Sequence, residues 1–563
     1  MRTRSVVSSL AFVSAALAFV AGSQACSGGS SNVGFGDQTG GQGAGTGTGT
    51  GTGTGNNDGG STGGPNNGGG GPIGSVGDGG NGTTTPPPSS DGGVACPTGL
   101  QCNVSCSNNG TTSISGKVYD PAGNNPLYNV AVYVPASPLT ALPKGVPTGN
   151  DACSCGALFQ SGALSGAFQK TGVDGSFTLN NVPVGSNVPL VLQIGKWRKS
   201  MHINVTACTN NVQPDKSLKL PGTVAAGSDD SMPDIAVSTG GADTLECLMR
   251  RIGLPASEYV AGSGTSGHVH IFAGGDSSGG GGGLGGGTGA PETPGMAGAP
   301  DSPTNLWSSQ AQLMPYDIVL LSCEGGETYN ANPSALHDYL NAGGRAFASH
   351  FHYSWFSGPL SSGQSYSAPS DWGNALATWS QDTGNSNGPV GGTIQTTLNT
   401  GGGAFQKGQI LQQWLTNVGA LGQGVAAGQL SIYSPRYNAA VSTGNAASQP
   451  WINSPPSSGG GFGGGGTPTG GTMYFSFDTP VGGTPSPDGG APTYCGRGVF
   501  SDLHVSGDPS DSDTSSPPNG CGAGALSPQE KALEFMLFDL SSCVVPVNVP
   551  EQPDAGPPPP PPK

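Results

Sequence analysis

Basic residues are scarce in this chain. Only 18 of its 563 residues are Lys or Arg, against 34 Asp or Glu, and the net charge is -16. Proteins that bind nucleic acid need clustered Lys and Arg to neutralise phosphates. The composition therefore excludes nucleic acid as a partner.

Long apolar runs are also missing after the first 25 residues. A membrane-spanning helix needs about 20 consecutive apolar residues. We therefore expect the mature protein to be anchored to a membrane or soluble, not to span one.

The first 25 residues have the pattern of a secretory signal peptide. Arg2 and Arg4 precede an apolar stretch at 6–20, and small residues lead up to Cys26. This order resembles that of a bacterial lipoprotein, which implies lipidation of Cys26 and anchoring at the outer membrane. Ser23 stands where such signals usually carry Leu, so ordinary cleavage and secretion is the alternative. Either way the chain is predicted to be exported, to the cell envelope as an outer-membrane lipoprotein or as a secreted protein.

Glycine and proline are abundant, with 103 and 49 residues, and they are concentrated in tracts. Such tracts cannot bury enough apolar surface to fold, so they are predicted to be disordered tethers or insertions. They are a tether at 26–95, insertions at 273–302 and 456–492, and a Pro-rich tail at 547–563.

Twelve cysteines indicate an oxidising compartment. Apart from Cys26 they form two groups along the chain. The first group is Cys96, Cys102, Cys106, Cys153, Cys155 and Cys208. The second is Cys247, Cys323, Cys495, Cys521 and Cys543. The even group predicts three disulfides within residues 96–208, and the odd group leaves one thiol or a bridge to a partner.

Residues 96–221 are predicted to be all-β. Short runs alternate apolar and polar residues and are separated by Gly, Pro and Asp turns. The segments ISGKVYDPAGNNPLYNVAVYV and TGVDGSFTLNNVPVG resemble a carboxypeptidase regulatory-like domain, a transthyretin-like or Cna-B-like sandwich. The resemblance implies an accessory module that contacts a glycan or an envelope protein, without catalysis. Trp197, flanked by basic residues, is either a stacking platform for a sugar or a cover over a sheet edge.

Residues 232–546 alternate strands and helices. Apolar strands are expected near 234–238, 268–272, 317–322, 345–349, 473–477 and 498–504. Asp243, Asn332 and Ser527 are expected to cap helices, the last through a capping box. This rhythm predicts an α/β domain with a mostly parallel sheet covered on both faces.

The segments YDIVLLSCEGGE, LHDYLNAGGRAFASHFHYSW and GRGVFSDLHVSG resemble the class I glutamine-amidotransferase-like (flavodoxin-like) fold, within its trehalose-utilisation (ThuA-like) branch. The family implies a nucleophilic Cys at the elbow after a strand and a His followed by x-Glu on a later strand. Here His350 occupies the elbow, and His504 is followed by Val-Ser. We therefore expect no glutaminase activity.

Several polar residues follow predicted parallel strands, whose carboxyl ends meet at one edge of a sheet. They are Cys323, Glu324, Glu327, His350, His352, Asp502 and His504. Residues two apart on a strand share a face, so His350 with His352, and Asp502 with His504, are expected to point together. His268 and His270 begin their strand and are expected at the opposite edge.

Two functions follow from this set. The candidate ligands of a divalent metal such as Zn²⁺, in a non-enzymatic binding or scaffold protein, are His350, His352, Asp502 and His504, to which the Cys323 thiol could add a soft ligand. The candidate nucleophile and bases of a secreted hydrolase are instead Cys323, His350 and His504. A disulfide at Cys323, hydrogen-bonded histidines and solvated acids are the structural alternatives.

Overall fold

The computed structural model describes residues 96–546, except 155, 241–242, 275–303, 362–363, 382–388, 456–470, 486–491, 506–517, 519 and 523. The described residues belong to one compact unit. The predicted signal peptide, tether, Cys26 and Pro-rich tail lie outside them, as do most of the two predicted insertions.

In the first region, residues 96–221, the regular elements of the described residues are strands and short 3-10 helices, as the alternating pattern predicted. Its strands are β1 (Ser113–Tyr119), β2 (Ala131–Pro135), β3 (Ala163–Lys170), β4 (Ser176–Asn180), β5 (Gly185–Ile194), β6 (Trp197–Val205), β7 (Asn210–Val212) and β8 (Leu218–Lys219). They form two four-stranded sheets. One has the order β4-β1-β7 with β8 also paired to β1, and the other has the order β3-β2-β5-β6.

The second region, residues 232–546, is built around one ten-stranded sheet. Its strands are β9 (Ile235–Ser238), β10 (Tyr259–Ala261), β11 (Val269–Phe272), β12 (Ile318–Leu321), β13 (Arg345–Ser349), β14 (Thr378–Trp379), β15 (Val390–Ile394), β16 (Leu430–Ile432), β17 (Ala439–Ala440), β18 (Ser448–Ser454), β19 (Gly471–Thr479) and β20 (Gly496–Ser501). The sheet order is β10-β11-β9-β12-β13-β20-β19-β18-β15-β16, while β14 and β17 pair separately.

The six strands from β10 to β20 in this order are parallel. The remaining four continue the sheet antiparallel. The sheet is therefore mixed, with the predicted parallel part in one half. β19 lies within the range 456–492 assigned to an insertion, so that assignment was wrong there.

Few helices cover the sheet. They are α1 (Leu245–Arg251), α2 (Thr304–Trp307), α3 (Gln310–Leu313), α4 (Pro333–Asn341), α5 (Tyr353–Ser357), α6 (Gln406–Asn417) and α7 (Pro528–Ser541). Asn332 and Ser527 cap α4 and α7 as predicted, the latter in a capping box with Glu530. No helix among the described residues is long and apolar enough to cross a membrane.

Both faces of the parallel half are buried, which is why its strands are mainly apolar. In β12, Ile318 and Leu320 belong to one hydrophobic cluster and Val319 and Leu321 to another. The first cluster also contains the core of the first region, including Ile114. The first region and one face of the large sheet therefore share a continuous core.

The disulfides correct the predicted pairing. Cys96–Cys102 and Cys106–Cys208 lie within the first region, whereas Cys153 pairs with Cys495 of the second. Cys247 pairs with Cys521, and Cys543 is also disulfide-bonded. The prediction of three bridges within residues 96–208 was wrong because the loop after β2 packs against the start of β20.

Trp197 is fully buried and its ring lies 5.7 Å from that of Phe538 in α7. A stacking platform for a sugar must be exposed, so Trp197 does not provide one. It is part of the packing between the first region and α7.

Candidate metal centre

Three side chains from the carboxyl ends of neighbouring strands meet in the core. β12, β13 and β20 are adjacent and parallel, and Cys323, His350 and His504 each follow one of them by one to three residues. The parallel register brings these strand ends to one edge of the sheet. The three residues are called the Cys–His cluster below.

The cluster is tight and buried. Cys323 Sγ lies 3.1 Å from His350 Nδ1, and the rings of His350 and His504 are 5.1 Å apart. One ligand atom from each residue lies within 4.8 Å of the other two. The exposed fractions are 0%, 3% and 2% in chain order. The arrangement therefore offers one sulfur and two nitrogens to a single point away from solvent.

The backbone turns sharply at His350. Its φ is +44°, in the left-handed region that non-glycine residues rarely adopt. A 3-10 turn, His350–His352, follows β13 directly and leads into α5. This turn brings the His350 ring close to Cys323.

Burial sets the protonation of the cluster. It raises the pKa of the Cys323 thiol to about 12, an effect strengthened by the charge of Asp243. It lowers the pKa of His504 to about 3, with a further contribution from the positive charge of Arg436. At neutral pH and without a ligand, Cys323 is a thiol and His504 a neutral imidazole, the form that binds metals.

His504 has an unsatisfied ring nitrogen. Its backbone carbonyl accepts a hydrogen bond from Gln529, but Nε2 is buried without a hydrogen-bond partner among the described residues. An unsatisfied buried polar atom costs about 1–3 kcal/mol. A group that binds Nε2 would offset this cost.

Asp243 organises the backbone around the cluster. Its Oδ1 accepts from Val505 N at 2.7 Å, and its Oδ2 accepts from Ser349 Oγ at 3.2 Å. It does not cap α1, whose N-cap is Thr244, so the predicted capping role was wrong. The sequence analysis did not place Asp243 at the site. Its position after the parallel strand β9 could have indicated that it lies there.

In each of the two predicted pairs, His350 with His352 and Asp502 with His504, the structure places the two side chains apart. His352 Nδ1 contacts Ser349 O at 3.2 Å, and its Nε2 lies 4.0 Å from Glu324. Asp502 Oδ2 accepts from Asn438 N at 3.0 Å. Residues two apart share a face only on a strand, and the chain leaves strand geometry before both pairs are complete. His352 and Asp502 are therefore not in the cluster.

Other predicted residues have structural partners. Glu327 accepts from Tyr353 OH at 2.5 Å and from Leu360 N at 2.7 Å, which ties two loops together. His268 Nδ1 is 2.6 Å from Glu258, and His270 Nδ1 is 2.8 Å from Gly262 O. His268 and His270 lie at the start of β11, at the other end of the parallel strands.

The described part of the chain contains one group of three or more His, Cys, Asp or Glu residues with this metal-ligand geometry, the Cys–His cluster. Cys323 is a buried free cysteine, so the alternative that it is disulfide-bonded is wrong. Comparisons of the chain with models of protein families, with curated proteins and with solved structures found no match.

Proposed function

We propose that this protein is a lipid-anchored cell-envelope binding protein that holds a divalent transition metal at the Cys–His cluster. The observation that carries the proposal is the convergence of Cys323, His350 and His504 ligand atoms within 4.8 Å. Zn²⁺ takes thiolate and imidazole ligands in tetrahedral sites, with metal–ligand distances of about 2.0–2.3 Å. Ligand atoms this close need only small side-chain movements to reach one ion.

The donor chemistry supports a borderline or soft ion. One sulfur and two imidazoles favour Zn²⁺ or a copper ion over Mg²⁺ or Ca²⁺, which prefer oxygen ligands. Cys323 would bind as thiolate, releasing its proton. The orphaned His504 Nε2 and the buried position fit such an ion.

We further propose that the first region is a carboxypeptidase regulatory-like sandwich and the second a degenerate amidotransferase-like domain. The two four-stranded sheets support the first assignment. The six parallel strands and the left-handed residue after β13 support the second. On this proposal the first region presents the second to a glycan or an envelope protein.

A secreted hydrolase is the second candidate, favoured by the 3.1 Å between Cys323 Sγ and His350 Nδ1. That distance suits a nucleophile and its base. However, burial raises the pKa of the thiol to about 12, whereas catalytic cysteines have lowered values. The cluster is also closed to solvent, so metal binding accounts for the geometry better.

Metal binding is tested by titrating the metal-free mature protein with Co²⁺, whose absorption reports thiolate ligation. We expect one equivalent to bind with a sulfur-to-cobalt charge-transfer band, and Zn²⁺ to displace it. Cys323→Ser should remove the band, and His504→Ala should weaken binding by more than about 100-fold. His268→Ala, at the other end of the strands, is the matched control and should bind as the unaltered protein does.

Two results would count against the proposal. One is the absence of stoichiometric binding to the folded unaltered protein. The other is glutamine-dependent ammonia release that Cys323→Ser abolishes, which would establish the enzyme instead.

Anchoring is tested separately. If Cys26 carries the lipid, Cys26→Ser will move the protein from the membrane fraction to the soluble fraction of the cell envelope. Cys323→Ser is the control and should leave the distribution unchanged. Membrane association that survives Cys26→Ser would mean that the anchor lies elsewhere.

A further inference from the structure

A cavity lies at the amino end of the parallel strands, remote from the Cys–His cluster. It is bounded by the start of β13 at Arg345, the β5–β6 turn at Lys196, the residue before β12 at Asp317 and the disulfide Cys153–Cys495. His350 follows the opposite end of β13, so the two sites lie at opposite ends of one strand. The volume open to water-sized molecules is about 90 Å³.

The described lining of this cavity carries a net positive charge. Its charged side chains are Lys196, Asp317 and Arg345. Lys196 forms an ion pair with Asp317 and donates a hydrogen bond to Gly145 O at 2.6 Å, so those two charges cancel. The guanidinium of Arg345 is left as one uncompensated positive charge, in a protein whose net charge is -16.

Arg345 is held by carbonyl groups and not by an acid. Nη1 donates to Gly343 O at 2.6 Å and to Cys495 O at 3.0 Å. Nη2 makes one long contact, 3.5 Å, to Ser542 O. No carboxylate of the described chain lies within ion-pair distance of it; the nearby Asp478 pairs with Arg497. One edge of the guanidinium therefore keeps hydrogen-bonding capacity.

Arg345 is half-buried, and desolvation together with the positive charge of Arg497 lowers its pKa to about 10. A charge that has lost part of its solvation and has no counter-ion is unfavourable, and an anion placed beside it offsets that loss. Arginine recognises carboxylate and phosphate oxygens through paired N–H donors. The same cavity has apolar walls, including Val146, Leu158 and Ile318.

We infer that this cavity, the Arg345 pocket, binds a small organic anion whose carboxylate or phosphate oxygens meet the Arg345 guanidinium. A volume of 90 Å³ corresponds to roughly six to nine water-sized positions, so the ligand has a similar number of non-hydrogen atoms. Its apolar part lies against Val146, Leu158 and Ile318. The disulfide Cys153–Cys495 fixes one wall of the pocket before the ligand arrives.

The test uses benzoate and inorganic phosphate as probes of the two oxyanion types. Thermal unfolding of the mature protein is followed against probe concentration, with NaCl holding ionic strength constant. We expect a saturable rise in the unfolding midpoint for at least one probe. The probe that gives the rise identifies the ligand's anionic group as a carboxylate or a phosphate. Phosphate also stabilises proteins without binding, by exclusion from their surface, so the variants decide the result.

Leu158→Glu places a negative charge in the pocket, and Leu158→Gln is its neutral match of the same shape. Leu158 is half-buried. Its backbone carbonyl accepts a hydrogen bond from Gln193 Nε2 at 2.8 Å, and both variants keep this carbonyl. The saturable rise should persist in Leu158→Gln and disappear in Leu158→Glu and Arg345→Gln. A rise that is equal in Leu158→Glu and Leu158→Gln, or no rise with either probe, overturns the inference.

Discussion

Removing the Cys153–Cys495 disulfide should lower the unfolding midpoint far more than removing Cys96–Cys102. Cys153 and Cys495 are 342 residues apart. The other bridges, including Cys247–Cys521 and the one at Cys543, shorten the loop that this disulfide closes in the unfolded chain. Loop-closure entropy still gives about 4 kcal/mol for a loop of about 50 residues. It gives about 2 kcal/mol for the six-residue separation of Cys96 and Cys102.

The measurement compares two double variants, Cys153→Ser with Cys495→Ser, and Cys96→Ser with Cys102→Ser. Each removes one bridge and adds two hydroxyls, so the chemistry of the substitutions is matched. Both are unfolded by heat and by denaturant under non-reducing conditions. Equal destabilisation by the two pairs would show that Cys153–Cys495 does not restrict the unfolded chain as the structure requires.

This bridge marks a limit of what the sequence could predict. Cysteines were grouped by position along the chain, but pairing follows distance in space. A Cβ added to Gly195 of the first region would lie 1.9 Å from Ser541 O, and one on Gly145 would lie 2.2 Å from Met314 O. Contacts this close between distant segments have no local sequence pattern, so they could not be anticipated.

Local signals were more reliable. The alternating runs predicted that the first region is built of strands, and the residues Asn332 and Ser527 predicted the starts of α4 and α7. Each of these depends on neighbours within a few residues. Asp243 shows the converse, because its hydrogen bonds are to Ser349 and Val505, more than 100 residues away along the chain.

The candidate site was predicted only in part. The rule that parallel strands end at one edge brought Cys323, His350 and His504 together without knowledge of any contact. Which other side chains joined them depended on the backbone after each strand. The left-handed turn at His350 removed His352 from the cluster, and the sequence around it contains no glycine to indicate such a turn.

The second large effect expected is on the pH dependence of stability, through a buried pair of carboxyl groups. Asp120 follows β1 and Glu534 lies in α7; they are 1% and 0% exposed, and the two carboxyl groups interact electrostatically. Burial raises the pKa of Asp120 on balance, while its hydrogen bond from Asn124 N, at 2.7 Å, acts in the opposite direction. Glu534 Oε2 accepts from Asn125 Nδ2 at 2.6 Å.

Burial and the neighbouring charge of Asp120 raise the pKa of Glu534 well above its usual range. The folded protein therefore keeps a proton on Glu534 at pH values where the unfolded chain has released it. Between the unfolded pKa, about 4.3, and the raised folded pKa, each pH unit costs about 1.4 kcal/mol of stability. The stabilising effect of this proton is complete below that window and is lost as pH rises through it.

Glu534→Gln should therefore stabilise the protein at neutral pH and remove this part of the decline with rising pH. The Gln amide can donate to Asp120 and accept from Asn125 without any proton uptake, so the packing of α7 against the first region is kept.

The free energy of unfolding is measured from pH 4 to 8 for both proteins. Asp151→Asn, at an exposed position, controls for the loss of one negative charge. If the free energy of unfolding of Glu534→Gln has the same pH slope as that of the unaltered protein, Glu534 is ionised in the folded protein and the prediction is wrong.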